Sequence, residues 1–305
     1  MCADRKATID QIGVGVLFNP SMDRFVERSL DRLDYLAVIP DRAWIDRGVG
    51  ARQRFDALPL PSALLNKLAD QLPIVLHSIG LSIGSAEIFD KDYALNLIAW
   101  ADRLHSPWIS EHLSFSRIGN GVEVNAAVAL PLPYDQEILD LLVPRIRFLT
   151  NKLRCPFLLE NNVYYFSYPE QDFSEEDFLN QLSCQTGCMV LLDLHNLYTN
   201  AVNHGFDALD YLEHLDLENV LEIHVAGGVR MMGLHTDSHT GPVLKDVWRL
   251  LEHAVPHTKN LRGITFEFHE SSFRLLGEDG ILDQVEQART IAKKYVTPGL
   301  SASFG

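Results

Sequence analysis

Long apolar runs and basic residues are both scarce in this sequence, and each deficit limits what the protein can be. No segment reaches the roughly 18 consecutive apolar residues that a membrane-spanning helix requires, and residues 1–18 lack the pattern of an export signal. Lys and Arg total 26 against 41 Asp and Glu, which gives a formal net charge of −15. Nucleic-acid binders usually carry a basic excess. The sequence therefore predicts a cytoplasmic protein whose partners are neither membranes nor nucleic acids.

Cysteine is the next scarce residue. The chain has four cysteines, Cys2, Cys155, Cys184 and Cys188, and their spacing does not suggest a disulfide framework. Cys184 and Cys188 are separated by three residues, which is compatible with a metal site, but no second pair accompanies them. Free buried thiols are the favoured interpretation, and they fit a reducing cytoplasm.

Short apolar runs do recur, and each ends in polar or turn residues. Their Val, Ile, Leu and Phe content is typical of strands that are covered on both faces. With 305 residues, 47% of them hydrophobic, the chain is long enough for a large core. The runs are GVGVLF (13–18), YLAVIP (35–40), PIVLHSIG (73–80), WISEHLSFS (108–116), PFLLENN (156–162), MVLLDLHN (189–196), VLEIHVAGG (220–228) and GITFEFHE (263–270).

Amphipathic stretches alternate with these runs and predict eight helices. This alternation predicts one α/β domain over residues 1–305, a single (β/α)8 TIM barrel, although two packed α/β domains are an alternative. Residues 117–133 exceed the length of a helix connection and are expected to pass over the barrel mouth, as is a loop at 197–207. The expected helices are 21–33, 62–72 (with Ser62 as N-cap), 90–104, 135–153, 174–183, 207–215, 242–254 and 279–295.

Potential metal ligands gather at one end of the predicted barrel. The catalytic end of such a barrel is the carboxyl end of its strands. A single histidine such as His77 is more often a core residue than a ligand, but six consecutive strands here deliver an imidazole or a carboxylate. The residues are His77, Glu111, His112, Glu160, Asp193, His195, Asn196, His224 and Glu267, and Asp237 and His239 follow in the loop after strand 7.

The buried carboxylates of this set need compensating charge. Lys and Arg are absent from all eight runs, so bound cations are the favoured source of that charge. Imidazole and carboxylate ligands without thiolate suit Fe, Mn or Zn. The candidates exceed the capacity of one ion, which predicts two or three ions and a bridging carboxylate. Glu160, on the strand between two ligand groups, is the expected bridge, whereas His235 is a weaker candidate because Asp237 and His239 already account for its loop.

The order of these ligands resembles that of endonuclease IV and the xylose-isomerase-like barrels. The short sequence motifs are similar to those of the DUF692 family, the multinuclear non-heme iron-dependent oxidative enzymes. This similarity spans nearly the whole chain. The longest matching stretch is LLDLHNLYTNAVNHGFD (191–207), within which NLYTNAVNHGFD is a long and specific motif. Further matches are GVGVLF, LHSIGLSIGS (76–85), SEHLSFS (110–116), LPLPY (130–134), LLENN (158–162), EIHVAGG (222–228), DSHTGPV (237–243) and FEFHE (266–270).

The resemblance implies two or three iron ions of mixed valence and three ligand sets. The family often has Asp-Val-Asn-Asn where this chain has Asp-Leu-His-Asn at 193–196, so the choice between His195 and Asn196 stays open. An acidic-Asn pair often follows strand 2, whereas here Arg42 follows Asp41, which leaves open a substrate contact at Asp41. The implied sets are His77, His112 and Glu160; Glu160, Asp193, His224 and Glu267; and Asp237, His239 and either His195 or Asn196.

The resemblance also implies a reaction. Family members use O2 to modify ribosomally synthesised precursor peptides, often at cysteine, and commonly work with a separate companion protein that recognises the leader peptide. We expect a substrate thiolate on one iron and hydrogen abstraction by an iron-superoxo species on another. Glu160 and Asp193 are the expected catalytic ligands of the ion that stays ferric, and Glu111 is expected to act as a base or as a partner of a ligand. From their positions in the sequence, His204 and His269 are expected either to support the ligands or to face the substrate.

Other function classes remain open for the same barrel. A metal-dependent phosphodiester hydrolase would favour a basic approach to DNA, which the charge of −15 disfavours. A sugar isomerase usually enlists a lysine near the site, and none of the strand runs supplies one. A metal-loaded peptide-binding module without catalysis is the third alternative. Zn or Mn is expected as a substitute for Fe, because zinc can displace ferrous iron by its higher affinity.

Overall fold

Eight parallel strands close into a barrel, as the sequence predicts. The structure is a computed structural model that describes residues 13–119 and 124–295. In the barrel each strand pairs with its neighbours in chain order, and the last strand pairs with the first. The strands are β1 (Gly13–Phe18), β2 (Tyr35–Val38), β3 (Ile74–Ser78), β4 (Ile109–His112), β5 (Phe157–Glu160), β6 (Met189–Asp193), β7 (Val220–Ala226) and β8 (Gly263–Glu267).

Helices cover the outside of the barrel. Most of them are amphipathic and bury one apolar stripe against the strands, which produces the large outer core between the two layers. None of the helices in the described ranges is both long and apolar enough to cross a bilayer. They are α1 (Asp23–Arg28), α2 (Pro59–Ala69), α3 (Lys91–Leu104), α4 (Gln136–Thr150), α5 (Glu175–Thr186), α6 (Leu194–His204), α7 (Ala208–His214), α8 (Lys245–Ala254) and α9 (Phe273–Tyr295, with a kink at Gly277).

Two predictions, one about the start of a helix and one about a loop, were wrong in detail. Ser62 is not an N-cap, because α2 begins at Pro59, whose fixed φ and missing N–H suit the first turn of a helix. Residues 197–204 of the loop expected at 197–207 lie in helix α6 instead. The Asp193 carboxylate accepts a hydrogen bond from the backbone N–H of Asn196 and caps α6, which therefore begins directly at the end of β6.

The interior of the barrel holds a second, smaller core. Side chains alternate between the two faces of a strand, so every second residue points inward. The inward set forms a separate cluster that includes Tyr35, Ala37, Val75, Trp108, Leu158 and Leu191. Gly263 makes room for it, because a Cβ atom there would lie 2.6 Å from the Tyr35 hydroxyl and 2.8 Å from the Trp108 ring. This cluster forms a floor below the candidate ligands.

Short hairpins surround the end of the barrel at which the carboxyl ends of the strands lie. One joins Phe115–Ile118 to Val124–Leu130 and corresponds to the excursion expected at 117–133, of which residues 120–123 lie outside the described ranges. Another joins Trp44–Asp46 to Phe55–Ala57. A third, Arg230–Met231 with Leu234–His235, follows β7. The hairpins extend the wall above the carboxyl ends of the strands.

Candidate metal centre

The predicted ligands on strands lie at the carboxyl ends and on the inward face. His112, Glu160 and Asp193 are the last residues of β4, β5 and β6. Glu267 ends β8, and His77 is the penultimate residue of β3. The two-residue period that sends Leu158 and Leu191 into the inner core therefore sends Glu160 and Asp193 into the space above it.

The first group joins His77, His112 and Glu160. The Nε2 atoms of the two histidines are 3.1 Å apart, and Glu160 Oε2 lies 3.1 Å from His112 Nε2 and 3.5 Å from His77 Nε2. The Nδ1 atom of His77 is 2.9 Å from the Ser110 hydroxyl, which fixes the ring with Nε2 facing His112 and Glu160. One imidazole pair and one carboxylate oxygen thus converge on a single point.

The central group joins Glu160 to Asp193 and His224, all three of which are buried. His224 Nδ1 lies 3.2 Å from Oε1 of Glu267, which brings the carboxylate of β8 to the same place. Asn161 holds Asp193 from both sides of its peptide: its Oδ1 accepts from the Asp193 N–H at 2.8 Å, and its Nδ2 donates to the Asp193 carbonyl at 3.0 Å. The backbone that carries this carboxylate is therefore fixed.

The outer group joins His195, from the first turn of α6, to Asp237 and His239 of the loop after β7. Asp237 Oδ1 lies 2.7 Å from His239 Nε2 and 3.7 Å from His195 Nδ1. His239 has a φ of +47°, which is uncommon for a residue with a side chain. Gly228 lies against the ring of His195, because a Cβ atom at that position would be only 2.4 Å from Nε2. The loop thus holds strained backbone and close packing at the place where two ligands are expected.

The groups are linked into one cluster, because they share members. Glu160 belongs to the first and central groups, and a linking set of Asp193, His239 and Glu267 connects the central group with the outer one. Within each group, one ligand atom per residue lies within 4.8 Å of the others. Asp193 is therefore a second candidate for a bridging ligand besides Glu160. The sequence argument did not consider Asp193 in that role.

Many polar atoms in this cluster are buried and complete no hydrogen bond of good geometry in the described structure, even where another candidate ligand atom lies within 3.5 Å. A buried polar atom without a partner costs free energy unless something else satisfies it. The orphaned atoms include carboxylate oxygens and both nitrogens of two imidazoles, which are the donor types that divalent iron, manganese and zinc accept. The residues present therefore fit a multinuclear metal site. The atoms are Glu160 Oε2, Asp193 Oδ2, His195 Nδ1 and Nε2, Asn196 Oδ1, His224 Nδ1 and Nε2, and His239 Nε2.

The electrostatics of the metal-free cluster point the same way. Burial opposes protonation of His112, but the Glu160 carboxylate outweighs burial and raises the pKa of His112 to about 9. Burial raises the pKa of Asp193 well above its usual value, and repulsion by Glu160 adds to this effect. Burial lowers the pKa of His195 to about 4. Without metal, protons on some of these groups compensate the crowded carboxylates, and bound cations would replace those protons.

Asn196 and His195 take different positions, although they are consecutive. The Asn196 amide donates to Glu160 Oε1 at 3.3 Å and to the Asn161 carbonyl at 3.0 Å, so it orients the expected bridging carboxylate. Its own Oδ1 has no partner in the described structure. His195 instead joins Asp237 and His239. The geometry therefore favours His195 as the ligand of the outer group.

Glu111 and Asp41 lie outside the lining of the cavity above the cluster. The buried Glu111 carboxylate accepts from the backbone N–H groups of Leu81 and His112 at 3.1 Å each, and burial raises its pKa to about 8. Asp41 accepts from the backbone N–H of Ile79 at 3.3 Å, and burial raises its pKa to about 6. Both carboxylates anchor backbone next to the ligands of β3 and β4, and this placement favours an anchoring role over direct contact with substrate.

The two remaining predicted substrate contacts, His269 and His204, lie at different cavities. His269 lies at the mouth and lines the cavity. His204, at the end of α6, stacks on Tyr164 with ring centroids 4.5 Å apart, and its Nε2 lies 2.9 Å from the Tyr164 carbonyl. Tyr164 lines a different cavity. His204 therefore lies beside the wall of that second cavity.

Glu222 was missed by the sequence argument. It is buried in β7, and Oε1 lies 3.2 Å from His224 Nε2. Its oxygens accept hydrogen bonds of 2.6 Å from Trp108 Nε1 and from the Thr265 hydroxyl. The signal was present in the sequence, because Glu222 precedes His224 by two residues and therefore shares its inward face. The carboxylate holds the ring of an expected ligand from below.

A cavity of about 380 Å³ opens above the cluster. Val128 and Ala129 from the long hairpin and Tyr165 from the loop after β5 form part of its wall. Among the described residues that line this cavity, Arg42 is the only lysine or arginine. Its guanidinium group lies 3.9 Å from the Glu270 carboxylate at the rim. A pocket of this size admits a short peptide segment or a small molecule.

Comparison with known proteins assigns the chain to a family. The model of the family described as "RiPP precursor modification enzyme MbnB/TglH/ChrH" matches residues 12–292. The chain belongs to this family. A UPF0276 protein of Caulobacter vibrioides is 32% identical over 246 residues, which cover 80% of this chain and 82% of the relative. A UPF0276 protein of Vibrio parahaemolyticus is 30% identical and covers 96% of both chains. Membership of the family indicates an enzyme and confirms the resemblance drawn from the sequence.

Solved structures show the same fold at low sequence identity. Endonuclease IV from Thermus thermophilus has a TM-score of 0.58 and 18% identity, with 92% of this chain and 99% of that chain covered. The IOLI protein with a bound zinc atom has a TM-score of 0.58 and 14% identity, with 94% and 100% covered. These similarities confirm the TIM-barrel fold.

Proposed function

We propose that this member of the MbnB/TglH/ChrH family is an iron- and O2-dependent enzyme that oxidises a ribosomally synthesised precursor peptide, with a cysteine as the modified residue. The observation that carries the proposal is the cluster of imidazole and carboxylate groups that six strands, α6 and the loop after β7 bring together, several of whose ligand atoms are buried without a hydrogen-bond partner. A family of peptide-modifying enzymes accounts for the substrate class. Two or three iron ions of mixed valence, with Zn or Mn as substitutes, would bind a thiolate and activate O2.

The ligand groups differ in the charge they offer. The central group supplies two carboxylates and one imidazole, and Glu267 lies beside it. The first group supplies two imidazoles and one carboxylate, and the side chain of its His112 lines the cavity and is 25% exposed. Carboxylate-rich surroundings favour the more highly charged ion, so Glu160 and Asp193 are proposed to hold the ferric ion. The more open first group would leave room for an exchangeable ligand.

Residues around the ligands keep them in place during turnover. Ser110 fixes the ring of His77, Asn196 orients Glu160, and Glu222 holds His224. Such partners set the orientation of metal ligands and the basicity of their rings. The buried floor excludes water from below, while Tyr165 and the hairpin residues Val128 and Ala129 border the cavity into which the peptide would reach.

A separate companion protein that recognises the leader peptide is part of the proposal. The cavity above the metal cluster holds a short segment rather than a leader of many residues, so another surface would have to bind the rest of the precursor. Co-purification of this chain with the product of a neighbouring gene, and a gain in turnover when that product is added, would support this part.

The decisive experiment is aerobic and anaerobic turnover with a candidate precursor peptide encoded next to this chain. The iron-loaded protein should consume O2 and change the peptide mass, the zinc-loaded protein should not, and alkylation of the peptide cysteine should abolish O2 uptake. Equal turnover under argon would contradict the proposal and favour a hydrolase or isomerase. Peptide binding without any product, with iron and O2 present, would favour a binding module.

A further inference from the structure

A second cavity of about 390 Å³ lies beside the metal cavity, between α5, α7 and the loop after β5. Seven aromatic rings contribute to its wall. This aromatic content distinguishes it from the metal cavity, whose lining contains mainly imidazole, carboxylate and aliphatic groups. The rings belong to Tyr134, Tyr164, Phe166, Tyr168, Phe173, Phe206 and Tyr211.

The charged residues of this aromatic cavity have one sign. Glu175 and Glu176 at the start of α5 and Asp207 and Asp210 of the α7 region all line it. Its described lining contains neither Lys nor Arg, and its one histidine, His214, is exposed. The backbone amides at the start of α5 stabilise nearby carboxylates, but they provide no neutralising side chain. The cavity therefore has a net negative potential.

Glu175 is the buried centre of that potential. Its Oε1 accepts a hydrogen bond of 2.6 Å from the Tyr134 hydroxyl, and it forms no ion pair with another described residue. The buried Tyr211 hydroxyl faces the same carboxyl group but completes no hydrogen bond. Burial raises the pKa of Glu175 to about 7. A buried carboxyl group of this kind is stabilised in its charged form by a cation that enters the cavity.

The walls of the cavity are held together by hydrogen bonds. The Tyr134 N–H donates to Gln171 Oε1 at 3.0 Å, and the Tyr134 carbonyl accepts from the N–H groups of Asp172 and Phe173 at 3.0 Å each. The Tyr168 hydroxyl donates to the Pro131 carbonyl at 3.2 Å. The loop after β5 is thereby tied to the segment before α4, and the aromatic rings are kept in position for a ligand.

We propose that this aromatic cavity binds the guanidinium or ammonium group of an arginine or lysine side chain of the peptide substrate. Aromatic faces attract such cations, and the carboxyl groups neutralise them. The peptide is the favoured source because Tyr164 lines the aromatic cavity while its neighbour Tyr165 lines the metal cavity. A peptide that enters the metal cavity thus passes one wall that both cavities share. This assignment of a peptide side chain rests on the proposed function.

Binding can be measured without any reaction. The purified full-length chain is titrated in a calorimeter with Ac-Gly-Gly-Arg-Gly-Gly-amide, the lysine peptide, and a matched citrulline peptide, which keeps the shape of arginine without its charge. We expect a Kd on the order of 1 mM for the arginine peptide and at least about ten-fold weaker binding of the citrulline peptide. Equal binding of arginine and citrulline peptides, or no binding of either, would overturn the proposal.

The site is located with a pair of variants that remove the same charge. Glu175→Gln should weaken binding of the arginine peptide by about ten-fold, while Glu170→Gln, which changes an exposed carboxylate outside the cavity lining, should leave it unchanged. Thermal unfolding verifies that both variants fold. Should Glu175→Gln unfold, Asp210→Asn at the exposed edge of the cavity replaces it and should weaken binding by at least two-fold. Equal affinities of all folded variants would exclude this cavity.

A further titration separates a peptide side chain from a free amine. Agmatine carries a guanidinium group without a peptide, and the proposal requires that the arginine peptide bind at least as well as agmatine. Binding of agmatine alone would overturn the assignment to a peptide. None of these titrations needs iron or O2, so their failure leaves the proposed oxidase untouched. Conversely, binding of the arginine peptide by a protein that fails to consume O2 would leave the cation site intact and refute only the oxidation.

Discussion

The Nε2 atom of His112 lies 3.1 Å from Oε2 of Glu160, at the boundary between β4 and β5. The two residues are direct neighbours in the parallel register of these strands, so the closure of the barrel itself places them together. His77 Nε2 lies 3.5 Å from the same oxygen. One carboxylate oxygen thus faces two imidazoles, while the other oxygen faces Asn196.

Replacing Glu160 with Gln should remove the expected bridge. Metal affinity should fall by at least about 100-fold, because both the first and the central group lose a ligand. The metal-free variant should be less stable than the metal-free parent, because the buried ion pair between Glu160 and His112 is lost. Metal content by elemental analysis and thermal unfolding with and without iron measure the two effects. An unchanged iron content, with Glu170→Gln as control, would exclude Glu160 as a ligand.

Replacing Glu222 with Gln should disturb His224 without removing a ligand. The amide N–H₂ would face donors at Trp108 or Thr265, which should cost roughly 1–3 kcal/mol of stability. Metal affinity should fall by about 10- to 100-fold, as is usual for the loss of a partner of a metal-bound histidine. Competition with a chelator measures the affinity. The exposed Glu218→Gln on the chain just before β7 is the control, and identical affinities for the two variants would argue against a positioning role.

Replacing Gly228 with Ala should displace the outer group. The added Cβ would lie 2.4 Å from His195 Nε2 and 2.7 Å from the Thr236 carbonyl oxygen, so either the ring or the loop must move. We expect a stability loss of roughly 1–3 kcal/mol and the loss of one metal ion per chain. Gly280→Ala is the matched control, because its nearest neighbour would be 4.0 Å away within α9. Full metal content in Gly228→Ala would show that His195 is not required.

The pH dependence of stability should contain a contribution from Glu175. Burial raises its folded pKa to about 7 from an ordinary value of 4.5, so between these values the folded state holds a proton that the unfolded state has released. The contribution of Glu175 to the free energy of unfolding is therefore fully present below pH 4.5 and is lost as the pH rises to 7. This contribution is on the order of 3 kcal/mol. Glu175→Gln should flatten this part of the profile of unfolding free energy against pH, and an unchanged slope would contradict it.

Much of the fold was accessible from the sequence because it depends on local patterns. The strand runs end in turn residues and alternate with amphipathic stretches, which predicts a barrel without any knowledge of tertiary contacts. The start of α6 was not accessible in this way. The run MVLLDLHN (189–196) was assigned to one strand, whereas the hydrogen bond from the Asn196 N–H to the Asp193 carboxylate shows that the strand ends at Asp193 and a helix begins there.

The candidate site was predictable where a strand carries the residue. His77, Glu160, Asp193 and Glu267 follow from strand ends and from the two-residue period of the side chains. Loop residues depend on backbone geometry that has no periodicity, so the left-handed φ of His239 and the approach of Gly228 to His195 could not be foreseen. Glu111 shows the reverse case: its residue type suits catalysis, but alternation with His112 directs it to the other face of β4.

The floor of Tyr35 and Trp108 has a consequence for the order of events. Both side chains are essentially inaccessible to solvent, and Trp108 is tied to Glu222 below the ligands. In the part of the chain that the structure describes, the barrel is therefore closed below the ligands, and the metal cavity opens at the carboxyl ends of the strands. A polymer cannot pass through it from one end to the other. A product must therefore leave through the same opening by which its substrate entered, before the next substrate can bind.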